Sequence, residues 1–430
     1  MLSLNIPDRI VFRLIDPLRG TKIMKVLKEL RIHQYLSQEE LEAIQKERLD
    51  KLFQKARSST VHYSNFHSFG ELPVLTKDVI SNHFNDFITA GFKNKQIKKV
   101  TGGSTGAPFV YYTNNYSLSH MWAGIILSWE VAGYRTGDKV VFLAGSSLFK
   151  SSWKHQLFYK MLNVDILHAS PLDDNNMKKY AEKIRKNKAS IIYGYAHAIN
   201  ALATFLKRQP KQNFPHLKGV VCTAELLTAS ARKNIEAAFG ARVYDQYGCN
   251  EAGISAFECQ YNKMHLISTR VVYETDENGT LFSTDLCNEG FIMMKYNTTD
   301  IVEFSDEPCA CRRNFPVIKT VVGRLNDVVV DMDNKVLHAS FFGMALSKDI
   351  TIQQYQVTFN EHSIQLNIHS SSSDESYYIN KYLALIRNHS RFAQYSLVMN
   401  ESFIKTINGK HKEVVDNRKV KKTVYAEMEK

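Results

Sequence analysis

Proline and glycine are scarce in this 430-residue chain, at 9 and 20 residues, which excludes a fibrous or low-complexity protein. Long apolar runs are missing too. The best candidate, AGIILSWEVAG, contains Glu130 and is shorter than the roughly 18 residues a spanning helix needs. The opening MLSLNIPDRIVFRLIDPLRG has no apolar signal-peptide core, so a cytoplasmic protein is expected. Six cysteines without a secretory context argue against a disulfide framework. No finger-type metal spacing, RNA-binding signature, Ser–His–Asp set, paired-carboxylate arrangement or internal repeat is visible. What is present is 44% hydrophobic and 23% charged residues, enough for a large core and two or three domains. The net charge of +12 attracts anions, nucleotide and coenzyme phosphates among them; a plain Lys-rich solvated surface accounts for it as well.

The first sixty residues read as helices. Ile10, Leu14 and Leu18 form an apolar stripe on a helix that also carries Arg9, Arg13 and Arg19. Such a helix suits peripheral contact with a membrane surface, although packing on its own domain is the expectation. From about residue 98, β-rich runs alternate with helical ones. IKKVTGG and PFVYYTN flank a turn; residues 118–134 read as a helix; VVFLAG, SIIYGY, KGVVCTAE and RVYDQYG read as strands with helices between them. This alternation predicts an α/β fold with largely parallel sheets. After Gly323 the pattern shifts to short strands, QYQVTFN and SIQLNIHS, and one helix, DESYYINKYLALIRNHS. The expected division is a large domain at 1–323 and a small α+β domain at 324–430.

VTGGSTGAP, residues 100–108, is the most informative stretch. Its hydroxyls (Thr101, Ser104, Thr105) and glycines (Gly102, Gly103, Gly106) suit close backbone approach to a polyphosphate. It is not a Walker A loop, because Ala107, Pro108 and a strand follow Gly106 instead of Lys and a helix. On these residues alone an ordinary glycine/serine turn is the favoured reading.

The turn resembles the phosphate loop of the adenylate-forming ligases, and further landmarks follow in order. TAELL (223–227) looks like the segment that lies against adenine. YGCNE (247–251) resembles Tyr-Gly-x-Thr-Glu, YNTTD (296–300) is similar to Tyr-x-Thr-Gly-Asp, GRLND (323–327) looks like the hinge motif, and NGKHK (408–412) resembles the C-terminal Ser-Gly-Lys motif. LPVLTKDVI, WEVAGYRTGDKV and GYAHAINALATF are similar to the phenylacetate–coenzyme A ligase branch and its capsular-polysaccharide relatives. The resemblance implies the adenylate-forming ligase fold: a large domain with mixed and parallel sheets, and a small α+β domain on a hinge.

It also implies roles. Thr101, Gly103, Ser104, Thr105 and Gly106 would hold phosphates of ATP. Ala224, Glu225, Tyr247 and Gly248 would border the nucleotide, with Tyr247 stacked on adenine. Asp300 would take the ribose hydroxyls, with Arg324 near ribose and phosphates. Glu251 would bind Mg²⁺ and act in catalysis. Lys410 would be the catalytic cation brought in by the small domain, which turns about Asp327. Tyr195 and His197 fall where relatives line the carboxylate pocket. The sequence departs from the family pattern at Ala107, Asn250, Thr299 and Asn408, which puts turnover and the second step in question.

Cys259 and His265 lie six apart, and Cys309 and Cys311 form CAC. Three soft thiolates and an imidazole suit tetrahedral Zn²⁺, while buried cysteines packing as small apolar groups are the alternative. Similar pairs in relatives bind zinc, which implies a closed structural site. The expected activity is acyl-AMP formation with release of pyrophosphate, followed by transfer to coenzyme A. The rivals are transfer to an amine in surface-polysaccharide synthesis, and a degenerate nucleotide-binding module. No nucleic-acid partner is expected; a homodimer is an assembly the resemblance allows.

Overall fold

The computed structural model describes residues 8–92, 96–101, 109–145, 153–169, 171–324, 328–404 and 411–418. Three helices open it: α1 (Asp8–Arg19), α2 (Ile23–His33) and α3 (Gln38–Ser59). Asp16 accepts hydrogen bonds from the Ile23 and Met24 backbones at 2.8 and 3.1 Å, so the end of α1 caps the start of α2. The apolar stripe does not face the way its spacing suggested. Leu14 is 62% exposed, whereas Ile15 is fully buried against α2 residues Ile23 and Val26. Where α2 and the next layer dock decides the buried face, not the spacing alone. Helix α3 begins with a capping box: Ser37 Oγ accepts from Glu40 N, and the Glu40 carboxylate accepts from Ser37 N.

After α4 (Lys77–Asn82) comes an antiparallel hairpin of β1 (Ile97–Thr101) and β2 (Phe109–Thr113), with Thr101 opposite Phe109. Its tip, residues 102–108, lies outside the described residues. Helix α5 (Asn115–Val131), β3 (Val140–Ala144), α6 (Trp153–Met161), β4 (Val164–His168), α7 (Asp174–Lys186), β5 (Ile191–Tyr195), α8 (Ala196–Lys207), β6 (Gly219–Thr223), α9 (Ala229–Phe239) and β7 (Arg242–Cys249) follow as alternating units. The chain then turns antiparallel through β8 (Ile254–Glu258), β9 (Met264–Leu266), β10 (Val271–Thr275), β11 (Thr280–Asp285), β12 (Tyr296–Ser305) and β13 (Val317–Arg324).

These strands join one eleven-stranded sheet in the order β10-β11-β12-β13-β9-β8-β7-β6-β5-β3-β4. The β4-β3-β5-β6-β7 half is parallel, and every pairing beyond β7 is antiparallel. Parallel strands must be covered on both faces, and their residues divide accordingly. In β3, Val140 and Phe142 pack with α2, α5 and α6, while Val141 and Leu143 pack with α7 and α8. Gly194 of β5 is required by this crowding: a Cβ there would lie 2.1 Å from the Leu143 carbonyl oxygen.

Residues beyond β13 build their own core. The short pair β14 (Val328–Val330) and β15 (Val336–His338) precedes α10 (Ala339–Leu346). A four-stranded sheet follows, ordered β18-β17-β16-β19, from β16 (Ile352–Phe359), β17 (Ser363–Ser370), β18 (Gln394–Met399) and β19 (Val414–Asp416). Ile364, Leu366 and Ile368 alternate into this core. The expected single helix at 375–389 contains a π turn at Ile379–Leu383. Around that widened turn, the hydroxyls of Tyr377 and Tyr382 reach Asp349 at 2.8 and 2.6 Å, and Tyr378 reaches Thr351 at 2.8 Å.

Gly194→Ala is expected to destabilise the protein by at least about 3 kcal/mol, because backbone rather than a flexible side chain must move. Urea unfolding followed by circular dichroism measures it; a loss under 1 kcal/mol, on the order of an ordinary surface substitution, would contradict this packing.

Candidate nucleotide site and cysteine–histidine cluster

In an open sheet with parallel strands, the loops leaving the carboxyl ends of those strands form the crevice where ligands bind. Tyr195, Thr223 and Gln246 stand side by side across β5, β6 and β7. The residues just after them therefore emerge at one edge, one strand spacing of about 5 Å apart. Tyr195 ends β5 and His197 lies in the first turn of α8. Ala224 and Glu225 follow β6, Tyr247 and Gly248 end β7, and Glu251 sits in the turn to β8. Thus Tyr195, His197, Ala224, Glu225, Tyr247, Gly248 and Glu251, drawn from three separated segments, share one rim.

Asp300 reaches this rim from the antiparallel half. It is 6% exposed, and the Tyr247 hydroxyl donates to its Oδ2 at 2.5 Å. Its strand partner in register is Arg324, whose side chain lies outside the description. Just before it, Thr299 adopts φ 64°, a left-handed conformation that costs a β-branched residue strain. The motif that YNTTD resembles has glycine at this position, whereas here a threonine takes the left-handed conformation. The Thr299 backbone N–H donates to Asn297 Oδ1 at 2.8 Å, which helps hold the turn. Ala224 is likewise left-handed, at φ 68°. Strained residues at two points of one rim are the kind of outlier that accompanies ligand sites.

Thr101 closes β1, and its hydroxyl is buried. Tyr111 of β2 has its phenol pushed well up, first by burial and then by the nearby Glu251 carboxylate. Tyr111 also shares an apolar cluster with Ala252, Tyr247 and Cys249, so the turn that holds Glu251 lies close to this hairpin. Gly103, Ser104, Thr105 and Gly106 of that tip, together with Asp327 and Lys410, lie outside the described residues.

The second cluster on the rim was not legible as a cluster. His197, which had no convincing partner in the sequence, places its Nδ1 2.7 Å from the Glu225 carboxylate, both side chains being 5% exposed. Glu225 also accepts from the backbone N–H of His197 at 3.1 Å and from that of His411 at 2.7 Å. Burial alone would raise the Glu225 carboxyl, but His197 and these two N–H groups outweigh it and leave it below its ordinary value. It is a carboxylate at neutral pH. His411 carries no role in the sequence reading beyond its place in NGKHK; only the fold brings it here.

Cys259, His265, Cys309 and Cys311 converge, with ligand atoms all within 4.8 Å of one another. The Cys259 and Cys309 sulfurs are 3.6 Å apart, and Cys311 Sγ is 3.2 Å from His265 Nε2. His265 Nδ1 donates to the Phe315 carbonyl at 3.1 Å, which turns the lone pair of Nε2 toward the sulfurs. Burial lowers the His265 ring, favouring the neutral ligand form. Burial pushes Cys311 up, but the Arg313 backbone and guanidinium outweigh it and leave the thiol lowered. The Tyr261 N–H points at Cys259 Sγ at 3.4 Å. Three thiols, one oriented imidazole and N–H support for sulfur fit a four-coordinate zinc ion with no open position. No cysteine is in a disulfide, and Cys222 is simply buried in the core.

No protein-family model matches the chain. Protein CapK of Staphylococcus aureus is 29% identical over 281 residues, covering 63% of this chain and 62% of CapK. The chain thus spans less than two thirds of that relative's length. Phenylacetate-coenzyme A ligase of Thermus thermophilus is 22% identical over 355 residues, covering 75% of this chain and 79% of the ligase. Among solved structures, 2-hydroxyisobutyryl-CoA ligase with 2-HIB-AMP in its postadenylation state superposes with a TM-score of 0.68 at 17% identity, covering 90% and 91% of the two chains. The same enzyme in its thioesterification state, with CoA bound, scores 0.56 at 18% identity, covering 93% of each chain. The fold is the one seen in 2-hydroxyisobutyryl-CoA ligase, and the sequence is similar to those of CapK and phenylacetate-coenzyme A ligase.

Tyr247→Phe removes the hydroxyl from Asp300 and is expected to cost about 1.5 kcal/mol, the range for a hydrogen bond to a charged group. Chemical denaturation of both proteins checks it, and equal stability would mean that the pair contributes nothing.

Proposed function

We propose that the chain activates a carboxylate with ATP and passes the acyl group to coenzyme A. The observation that carries this reading is the rim itself: Tyr247 bound to Asp300 at 2.5 Å, beside Glu251 and the hairpin of the glycine-rich turn, within an adenylate-forming ligase fold. In the first step a carboxylate oxygen of the substrate attacks the α-phosphorus of ATP. The bond to the β-phosphate oxygen breaks, and pyrophosphate leaves. In the second, the thiol of coenzyme A loses its proton and attacks the acyl carbon, and AMP departs.

Each residue has a task in this scheme. The backbone of residues 102–106 and the hydroxyls of Ser104 and Thr105 hold the β- and γ-phosphates, with Thr101 at the base of the turn. Ala224 and Gly248 let the chain approach the base closely, and Tyr247 stacks on it. Asp300 accepts from the ribose, with Arg324 as the neighbouring cation. Glu251 would offer its carboxylate to Mg²⁺, a hard cation whose charge would offset that of the phosphates. Lys410 brings positive charge to the two anions that must meet. Residues 324–430 form a small mobile unit that turns about Asp327 between the steps, and Tyr195 and His197 border the carboxylate pocket. The nearer resemblance to the postadenylation arrangement than to the thioesterification one supports an acyl-AMP-forming state.

The Cys259–His265–Cys309–Cys311 set holds structural Zn²⁺, tying the β8–β9 turn to the β12–β13 connection. Protein purified without chelator should contain one zinc per chain by elemental analysis. Cys309→Ser should release it and lower the melting temperature, since structural zinc contributes on the order of 10 kcal/mol in small domains. A metal-free, equally stable wild type would reject the assignment.

ATP–pyrophosphate exchange against a panel of carboxylates, phenylacetate included, tests the activity. Lys410→Ala should slow it by ~10²-fold or more, the scale for removing one preorganised charge or donor. Exchange without coenzyme-A-dependent AMP release would redirect the second step toward an amine acceptor. Nucleotide binding without exchange would identify a binding module.

A further inference from the structure

We infer that Glu225 is a positioning residue: its buried carboxylate clasps the backbone of His411 and so docks the small sheet beyond β13 against the large one. The inference deepens the adenylation reading above and rests on it for the role of Lys410; the clasp itself rests on geometry alone.

Glu225 belongs to the loop after β6, whereas His411 belongs to the unit beyond β13. The carboxylate takes three N–H donors: His197 Nδ1 at 2.7 Å, His197 N at 3.1 Å and His411 N at 2.7 Å. An ionised acceptor in a site this buried makes strong, directional bonds. His411 is in turn welded to its own unit. Its Nε2 contacts the Tyr355 carbonyl of β16 at 2.7 Å, Gln356 donates to the Lys412 carbonyl at 2.7 Å, and β19 begins two residues later, paired with β16. A force on the His411 amide therefore acts on the whole small sheet, not on a loose strand.

Further polar contacts around this junction come from the start of α9. Thr228 Oγ1 caps α9 by accepting from Ala231 at 3.1 Å, and contacts the Gln353 carbonyl at 3.1 Å. Ala229 N donates to the Ser347 carbonyl at 3.3 Å. Between these contacts and Glu225 is a small cavity bordered by Asn200, Leu226, Gln354 and Glu413. If His411 leaves, the Glu225 carboxylate keeps the His197 Nδ1 and backbone N–H as donors, so it is not left without hydrogen bonds. The sequence resemblance put Glu225 against adenine. The structure commits its carboxylate elsewhere, which leaves the backbone of this segment for the base.

Glu225→Gln keeps the shape and removes the charge. Hydrogen exchange of the peptide at 411–418, read by mass spectrometry, should quicken ~10-fold or more, matching the loss of one charge-assisted bond. Pyrophosphate exchange with phenylacetate as probe should fall ~10- to 100-fold, while thioester formation from supplied phenylacetyl-AMP and coenzyme A stays within about twofold of wild type, as expected for a contact made only in the first step. Unchanged hydrogen exchange, or equal loss in both half-reactions, overturns the proposal. If the variant does not fold, the wild type decides: an unprotected His411 amide at neutral pH also overturns it. If wild type shows no exchange with any carboxylate of the panel, the adenylation reading fails, and amide protection still reports on the clasp.

Discussion

Double-sided burial of the five parallel strands is the constraint from which the rest of this structure follows. A strand covered by helices on both faces leaves little room for charged side chains along its length, and burial pushes the one such carboxyl in mid-β7, Asp245, up to about 7. Val140–Ala144 is buried throughout, and Gly194 is pressed against the neighbouring carbonyl. Polar chemistry is therefore pushed to the strand ends. Because the strands run the same way, their carboxyl ends open on one rim, and Tyr195, Glu225 and Tyr247 arrive there together although dozens of residues separate them.

The antiparallel half completes what the parallel half begins. After β7 the chain reverses direction, β8 and β9 link β7 to β13 and β12 across the sheet, and Asp300 of β12 meets the Tyr247 hydroxyl. The same reversal folds Cys259 and His265 toward Cys309 and Cys311. One topological decision thus assembles both the nucleotide rim and the cysteine–histidine cluster. The cluster sits where the sheet changes from short hairpins to long strands, a place with little apolar packing of its own: beside its three cysteines, Val317 alone completes the small buried group there.

Much of this was legible from residue order. The strand–helix alternation between residues 140 and 249 appears as expected, with Asp173 capping α7 and accepting from Asn176 at 2.9 Å. The hairpin around the glycine-rich turn is also where β-rich runs put it. Three features were not legible. Leu14 carries the right spacing for a buried stripe yet faces solvent, because periodicity sets the width of an apolar face but not its docking. The helix at 375–389 hides a π turn, since nothing in its composition shows that Asp349 and Thr351 wait beneath its tyrosines. Glu225, His197 and His411 form one polar cluster from three segments, and no pairwise spacing encodes that.

By itself the order of amino acids determined which stretches become strands and helices, and which side chains are chemically able to hold phosphate, metal or a base. These are local properties, carried by backbone preferences and side-chain chemistry. Only the tertiary structure decided which of those groups meet. Contacts such as Tyr247 with Asp300, or Glu225 with His411, join residues 53 and 186 positions apart. They exist because sheet order and burial bring the segments together, a cooperative outcome of the whole core that no single segment contains.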